Sequence, residues 1–376
     1  MEARDDGSSS DEMSKSAGDT LVLVTGASGY IASHVVRLLL QRGYRVRGTV
    51  RNLKNESKIA PIRALDIGGR LELVEADLTE EKGWDEAVAG CDYVQHLASP
   101  FPIVTDETTI PTAINGTLHV LKAVAKCHSV KKVVLTSSCV AVNEGHPQDR
   151  VFDESTWTNV DHKSVGDYPK SKTLAERAAW KLLEELKPED NHFKLSTINP
   201  VFVVGPPLID MQGSSISVIR QFMQNELPAL PPMQLALVDV RDVALMHVEA
   251  MVRPESDGRR FLAASQPSYW FKDISRVLGK EFKQYGYKTP CFQAPGFGVW
   301  LMSFFDKQAA SILDRLHHQI RFDCTAAKEV LGIEFRNPDE SLIEMGYAMI
   351  ERGIVKKTKG YTGVPEKYAS EERIKG

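Results

Sequence analysis

The sequence predicts an α/β fold: a Rossmann-type, doubly wound parallel sheet with a smaller C-terminal substrate-binding region. Three observations carry that expectation. A continuous apolar run, Leu21-Val22-Leu23-Val24, is followed at once by a glycine-containing turn and then by apolar positions at helical spacing. Short apolar runs alternate with helix-period segments from there to residue 199, the pattern of parallel strands joined by crossover helices. The chain has 376 residues, enough for one large α/β unit and a smaller partner.

The first element reads as a strand covered on both faces, because it is apolar without alternation. Thr25-Gly26-Ala27-Ser28-Gly29-Tyr30-Ile31-Ala32 follows, with Ile31, Val35, Val36, Leu38, Leu39 and Leu40 on a helix. Gly26 suits a tight turn, and Gly29 lets backbone approach a pyrophosphate. The helix N-terminus presents unpaired N–H groups and the positive end of its dipole to that phosphate. Ala32 stands at the third fingerprint position and still permits close helix–strand packing. A glycine motif alone is weak evidence, and its placement between strand and helix strengthens it.

Residues 44–50 read as the second strand. A carboxylate near its end would hold the ribose 2′-hydroxyl of NAD. No acidic residue occurs between Gly26 and Asn55; Arg51 follows the strand directly and Lys58 lies just beyond. A guanidinium can grip a 2′-phosphate bidentately, so this stretch indicates NADP(H). Residues 71–78 read as the third strand, with Asp77 placed either to accept from an adenine amino group or to cap a helix after Thr79. A short helix over 83–90 and a strand over 92–97 follow, the latter ending in the small residues Ala98 and Ser99. His96, inside that strand, is expected to be packed. A long helix over 106–129 precedes a fifth strand, 133–138, ending in Ser137 and Ser138. Asp153 to Trp157 form a polar loop. Tyr168 opens a helix reaching about Leu186, and Phe193–Asn199 reads as a sixth strand ending at Pro200. Ligands in such sheets sit beyond the carboxyl ends of the strands, which is where Ser138 falls.

Tyr168 and Lys172 are four apart and share one helix face. Among ten tyrosines no other is followed by lysine at that spacing. Reducing a carbonyl needs a hydride donor, a proton donor and a group that polarises the carbonyl. A tyrosine hydroxyl with a reference pKa of about 10 is a poor acid near neutrality, and an ammonium one turn away is expected to lower it. A serine hydroxyl at the adjacent strand end can hydrogen-bond the carbonyl oxygen as charge grows there.

Composition bounds the rest. The net charge of −4 offers no case for nucleic acid. Five scattered cysteines, none in a CxxC pattern, give no disulfide framework or zinc site, and no metal is expected. No run reaches the about 18 apolar residues of a membrane span; the nearest, 292–305, is broken by Pro295, Gly296 and Gly298. No secretory pattern opens the chain, so a cytoplasmic protein, monomer or homodimer, is expected, which would not use the glycosylation patterns at Asn55 and Asn115.

Together these residues resemble the extended short-chain dehydrogenase/reductase family, in its branch of dihydroflavonol 4-reductases, cinnamoyl-CoA reductases and yeast methylglyoxal reductase. The matching stretches are VTGASGYIASHVV at 24–36, TVRN at 49–52, EADLTEE at 75–81, HLASPF at 96–101, VVLTSSCVAV at 133–142, YPKSKTLAE at 168–176 and INPVFVVGP at 198–206, with DVRDVA at 239–244 and LGIEFR at 331–336. The resemblance spans about residues 20–355. It implies that Ser138 polarises the carbonyl, Tyr168 is the acid/base and Lys172 supports it, although Ser137 also fits the TSS motif. It implies a cofactor site of Gly26, Ser28, Gly29, Tyr30, Ile31, Arg51, Lys58, Asp77, Leu78, Leu97, Ala98, Ser99, Tyr168, Lys172, Pro200, Val203 and Ser215. Asn115 is a candidate fourth member of the proton relay, and Asn143 falls where a dihydroflavonol enzyme hydrogen-bonds its flavonoid. YPKSK departs from the longer signature of cinnamoyl-thioester reducers, which argues against that substrate.

The domain organisation expected is a disordered tail at 1–18, an NADP-binding domain at 19–205 rejoined by 236–265, a substrate region over 206–355 and a flexible tail at 356–376. Ile209, Met211, Phe222, Met223, Leu230 and Met233 read as core before pocket. Tyr269, Trp270, Phe292, Phe297, Trp300 and Phe304 suggest aromatic packing or a lid. Asp239 and Asp242 read as structural, the latter as a helix N-cap, and His247 as a satisfied buried imidazole. The leading reading is an NADPH-dependent reductase of a ketone or aldehyde on a small or medium apolar molecule. A hydroxysteroid dehydrogenase or nucleotide-sugar epimerase is the alternative on this scaffold, and a non-catalytic NADP sensor is the alternative of another kind. Arg51 counts against the epimerase, and the intact Ser138, Tyr168 and Lys172 count against the sensor.

Overall fold

Both faces of the first strand are buried: Val22 and Val24 face one core, Leu21 and Leu23 the other. That is the condition for a strand at the centre of a doubly covered sheet. The computed structural model describes residues 15–99, 108–147, 149–210, 213–302 and 312–369. The elements in chain order are β1 (Leu21–Val24), α1 (Tyr30–Gln41), β2 (Arg45–Val50), α2 (Glu56–Arg63), β3 (Leu71–Glu75), α3 (Trp84–Val88), β4 (Tyr93–His96), α4 (Thr109–Lys126), β5 (Lys132–Thr136), β6 (Val151–Phe152), α5 (Asp167–Glu185), β7 (Lys194–Pro200), β8 (Phe202–Val204), α6 (Ser214–Met223), β9 (Gln234–Asp239), α7 (Val240–Val252), β10 (Arg260–Ala263), β11 (Ser265–Trp270), α8 (Phe271–Phe282), α9 (Gly296–Met302), β12 (Arg321–Phe322), α10 (Thr325–Leu331) and α11 (Pro338–Glu351).

Seven strands form the main sheet in the order β10-β7-β5-β4-β1-β2-β3, and every pairing is parallel. The order reverses at β1 and β4, which opens the crevice where ligands bind in such sheets. α1, α7 and α10 cover one face, and α3, α4 and α5 the other. α10 lies within the stretch read as substrate region, yet it packs on the main sheet.

The smaller unit is built on the sheet β11-β9-β8, with α6, α8 and α11 around a second core. Ile209, Phe222, Met223, Leu230 and Met233 are all buried, as the core reading expects. Met211 and Phe304 lie outside the described residues. Phe292, Phe297 and Trp300 are largely exposed, so they do not form an aromatic core, while the Tyr269 hydroxyl donates to Asp339 at 2.7 Å.

Some sequence expectations change. Asp239, not Asp242, caps α7: it accepts the Arg241 N–H at 2.7 Å. Asp242 instead accepts the Arg336 N–H at 2.7 Å and pairs with the Arg336 guanidinium. Arg241 bridges Asp239 and Glu344, at 2.7 and 2.5 Å, tying β9 to α11. His247 is the satisfied imidazole expected, held between Gln95 and Thr136 at 2.8 Å each.

The terminal segments are also less loose than their composition implies. Lys15 reaches Asp92 at 2.7 Å, and the tail's residues 1–14 lie outside the described residues. Residues 356–369 pack against the second core, with Tyr361 on Tyr285 and Tyr368 on Tyr347. Aromatic anchors outweigh the surrounding charges there; residues 370–376 lie outside the described residues. Among the described residues no helix is long and apolar enough to cross a membrane.

Candidate active site

The glycine turn after β1 is shaped by its neighbours. Gly26 has a φ of +65° and donates its N–H to Thr49 Oγ1 at 2.9 Å. A Cβ on Gly26 would lie 3.1 Å from that of Ala98, and one on Gly29 would lie 3.1 Å from the Gly26 carbonyl oxygen. Gly29 is the N-cap of α1 and supplies no side-chain acceptor, so the first-turn N–H groups of Tyr30 and Ile31 have no intrahelical partner. The Tyr30 ring turns away from the loop: its hydroxyl donates to the Gly205 carbonyl at 2.5 Å. His34, one turn on, bonds the Pro206 carbonyl at 2.9 Å and is held neutral, its pKa lowered to about 3 chiefly by burial. Tyr30 and His34 thereby pin the segment after β8 to α1.

Thr25 organises the next strand end. Its Oγ1 accepts N–H groups from Leu97 and Ala98 at 3.0 and 2.9 Å, and it lies 2.8 Å from His96 Nδ1. With both lone pairs used, the Thr25 proton goes to Nδ1, which places the His96 proton on Nε2. Burial, with the Lys172 charge adding, lowers His96 to about 3. The imidazole is packed and neutral, as expected.

A cleft of about 710 Å³ runs over these strand ends. It is lined by Gly26, Ser28 and Gly29 at its base, Arg51, Ser57 and Lys58 at its rim, Asp77 and Leu78 on one side, and Leu97, Ala98 and Ser99 on the other. The Arg51 loop is braced where Glu75 accepts the Leu53 N–H at 2.8 Å. Asp77 accepts the Thr79 N–H and hydroxyl at 2.9 and 2.8 Å, which holds its carboxyl below the usual range with help from Arg51. These bonds close a local turn and cap no helix, since α3 starts only at Trp84 after Gly83. The residues fit a dinucleotide phosphate. The turn is open where a side chain would fill it, a helix start faces it, and the cations Arg51 and Lys58 stand beyond the end of β2, which itself carries no acidic residue.

Ser138 and Tyr168 come together beyond β5. Ser138 is extended, with φ −162° and ψ 155°, and its Oγ accepts the Val140 N–H at 3.3 Å. Its hydroxyl faces that of Tyr168, close enough to favour the phenolate. Tyr168 sits in the first turn of α5, where Pro169 costs no hydrogen bond. Lys172 Nζ is 5.9 Å from the Tyr168 ring centre and donates to Ser99 Oγ at 2.7 Å, which links this cluster to the cleft. Ser137 points elsewhere, donating to Glu176 at 2.5 Å. The extended backbone sends the two neighbouring hydroxyls to opposite sides.

Burial decides the electrostatics. It pushes the Tyr168 hydroxyl above its ordinary value, with Cys139 adding and Ser138 opposing. It lowers Lys172 to about 8. The expected lowering of Tyr168 by Lys172 is therefore not what the chain alone produces: desolvation of the phenolate outweighs an ammonium that is itself desolvated and directed at Ser99.

Other expected site residues lie apart. Pro200 ends β7 and Val203 lies in β8, both buried, and Ser215 is in the first turn of α6; none of the three lines the cleft. Asn115 lies in a separate recess with Leu78, Thr79 and His119, at the Asp77 end of the cleft. Asn143 is buried beside Glu144, which pairs with Arg315 at 2.6 Å. The cleft also contains Ile209, where the pocket reading applies, and Thr49, Thr112 and Asp210, which sequence reading did not single out. Only Thr49 carried a signal, as the first residue of the TVRN stretch.

Fold and cluster together define a class: an extended short-chain dehydrogenase/reductase, an oxidoreductase on a Rossmann sheet. The model of the NAD dependent epimerase/dehydratase family matches residues 22–264, and the chain belongs to that family. It is 42% identical over 275 residues to a cinnamoyl-CoA reductase of Medicago truncatula, covering 71% of this chain and 82% of that protein. It is 36% identical over 342 residues to tetraketide alpha-pyrone reductase 1 of Arabidopsis thaliana, covering 87% and 96%. Among solved structures it is similar to yeast methylglyoxal/isovaleraldehyde reductase complexed with NADPH, with a TM-score of 0.73, 27% identity, and coverage of 88% of this chain and 98% of that one.

Proposed function

We propose that this protein is an NADPH-dependent reductase that converts a ketone or aldehyde on a small, largely apolar molecule to an alcohol, reversibly. The observation that carries the reading is the approach of Ser138 and Lys172 to Tyr168, with Lys172 joined through Ser99 to a cleft rimmed by Arg51 and Lys58. The relatives above are reductases by name, and the yeast structure contains NADPH.

Bound NADPH would supply the hydride. Gly26, Ser28, Gly29 and the start of α1 hold the pyrophosphate, and Arg51 and Lys58 hold the 2′-phosphate. Ser138 donates to the carbonyl oxygen as negative charge develops there. Tyr168 transfers its phenolic proton to that oxygen. Lys172 keeps a positive charge beside the forming phenolate, offsetting the burial that otherwise opposes it. Five free cysteines, with no disulfide among them, suit a reducing cytoplasm.

The test is NADPH oxidation across aliphatic, aromatic and thioester carbonyls. Turnover on none of them, with NADPH bound tightly, would sink the reductase reading in favour of a sensor. The pH profile gives a second check. Lys172 titrates at about 8, so the ammonium is present below that value and lost above it. Carbonyl reduction at saturating NADPH is expected to hold up to about pH 8 and then fall, and Lys172→Arg should move that limb upward. A limb that stays in place in Lys172→Arg belongs to another group.

A further inference from the structure

We infer that Glu176, neutralised by Arg260, is a positioning residue for the carbonyl-reducing cluster, an inference that rests on the function proposed above. Glu176 lies on α5, one turn beyond Lys172 and two beyond Tyr168. Its side chain is fully buried. One carboxylate oxygen accepts the Ser137 hydroxyl at 2.5 Å and Asn199 Nδ2 at 2.8 Å. The other accepts Arg260 Nε at 2.6 Å and the Thr197 hydroxyl at 3.1 Å. Asn199 Nδ2 also reaches the Ser138 carbonyl at 3.3 Å. The carboxylate thus fixes Ser138 from two sides, through the residue before it and through its own carbonyl.

Arg260 completes the frame. Its guanidinium donates to the carbonyls of Glu154 and Thr156 at 2.7 and 2.8 Å, and to that of Ala141 at 3.4 Å. It lies 3.7 Å over the Trp157 ring. Ala141 belongs to the tight turn that begins directly after Ser138. Groups from the loop after β5 and from β7, β10 and α5 therefore converge on one ion pair beside the Ser138–Tyr168 cluster.

Stability is a poor reason for such a pair. Desolvating two charges costs about as much as their attraction returns, and an apolar pair of similar volume often serves as well. A fixed geometry is what this pair supplies. Arg260 has a second duty in the same unit. Without it, a bare carboxylate would be left buried two turns along α5 from the phenolate that the reaction forms, and a like charge in a desolvated site raises the pKa of Tyr168.

The test compares Glu176→Gln, Arg260→Met and the double variant, with Tyr168→Phe as the control for the function itself. Glu176→Gln is expected to lower kcat roughly tenfold to a hundredfold, as small misplacements of reacting groups do, with KM for NADPH within about twofold. Arg260→Met should move the pH profile of alcohol oxidation upward, and adding Glu176→Gln should bring it back. Additive losses with an unmoved pH profile would mean a purely structural pair and overturn the inference. If Tyr168→Phe keeps full turnover, the proposed function fails. If it is dead while Glu176→Gln matches wild type, only the positioning role fails. Should the Glu176 variant not fold, Ser137→Ala removes one link alone, and a kcat within about twofold of wild type then overturns the inference.

Discussion

Tyr168→Phe is expected to lower kcat for carbonyl reduction by roughly 10²–10⁴-fold, the usual contribution of a positioned general acid. NADPH affinity should stay within about twofold, because the variant removes one hydroxyl and keeps the ring. Tyr168 is half-buried beside Ser138, so a substrate seated on it would shut out the water that could replace the lost proton. Stopped-flow NADPH oxidation with a saturating carbonyl, beside a fluorescence titration of the cofactor, checks both halves. Turnover equal to wild type would remove Tyr168 from the reaction. A loss confined to cofactor binding would make it a cleft residue.

Arg51→Ala should weaken NADPH roughly tenfold to a hundredfold while changing NADH by less than about threefold. The reasoning is that a guanidinium bonded to a phosphate makes charge-assisted hydrogen bonds that the 2′-hydroxyl of NADH cannot match. Arg51 is exposed and close to Asp77, so part of its charge is screened before any ligand arrives. The preference for NADPH should accordingly shrink as salt is raised in the wild type, and Lys58→Ala should reduce it by a smaller step. Equal losses for the two cofactors would show that Arg51 serves the loop and not the phosphate.

The sheet was legible because its signals are local. An unbroken apolar run means burial on both faces, and β1 is buried on both. Strand ends in a parallel sheet share one edge, so Gly26, Ala98 and Ser138 could be placed near one another before any coordinates. Helix spacing put Tyr168 and Lys172 on one face of α5. What escaped was set by partners distant in sequence. Nothing local distinguishes Ser137 from Ser138; Glu176, thirty-nine residues after Ser137, takes the first hydroxyl and leaves the second to Tyr168. On sequence Asp242 reads as the cap of α7, but Arg336, ninety-four residues after it, claims that carboxylate and Asp239 caps the helix.

The charged segment after residue 355 looked loose because composition is blind to two well-placed tyrosines and the ring surfaces that receive them. Asn115 looked like a relay member because the resemblance suggested it; the fold puts it beside Leu78 and His119. By itself, then, the sequence determined the sheet, the nucleotide turn, the cationic strand end and the Tyr168–Lys172 pair, all properties of short stretches with a fixed period. The tertiary structure alone decided which serine meets Tyr168, which way burial moves Tyr168 and Lys172, and that Glu176 and Arg260 lie beneath them. Desolvation and ion pairing depend on how many groups close around an atom, and that number exists only once the chain has folded.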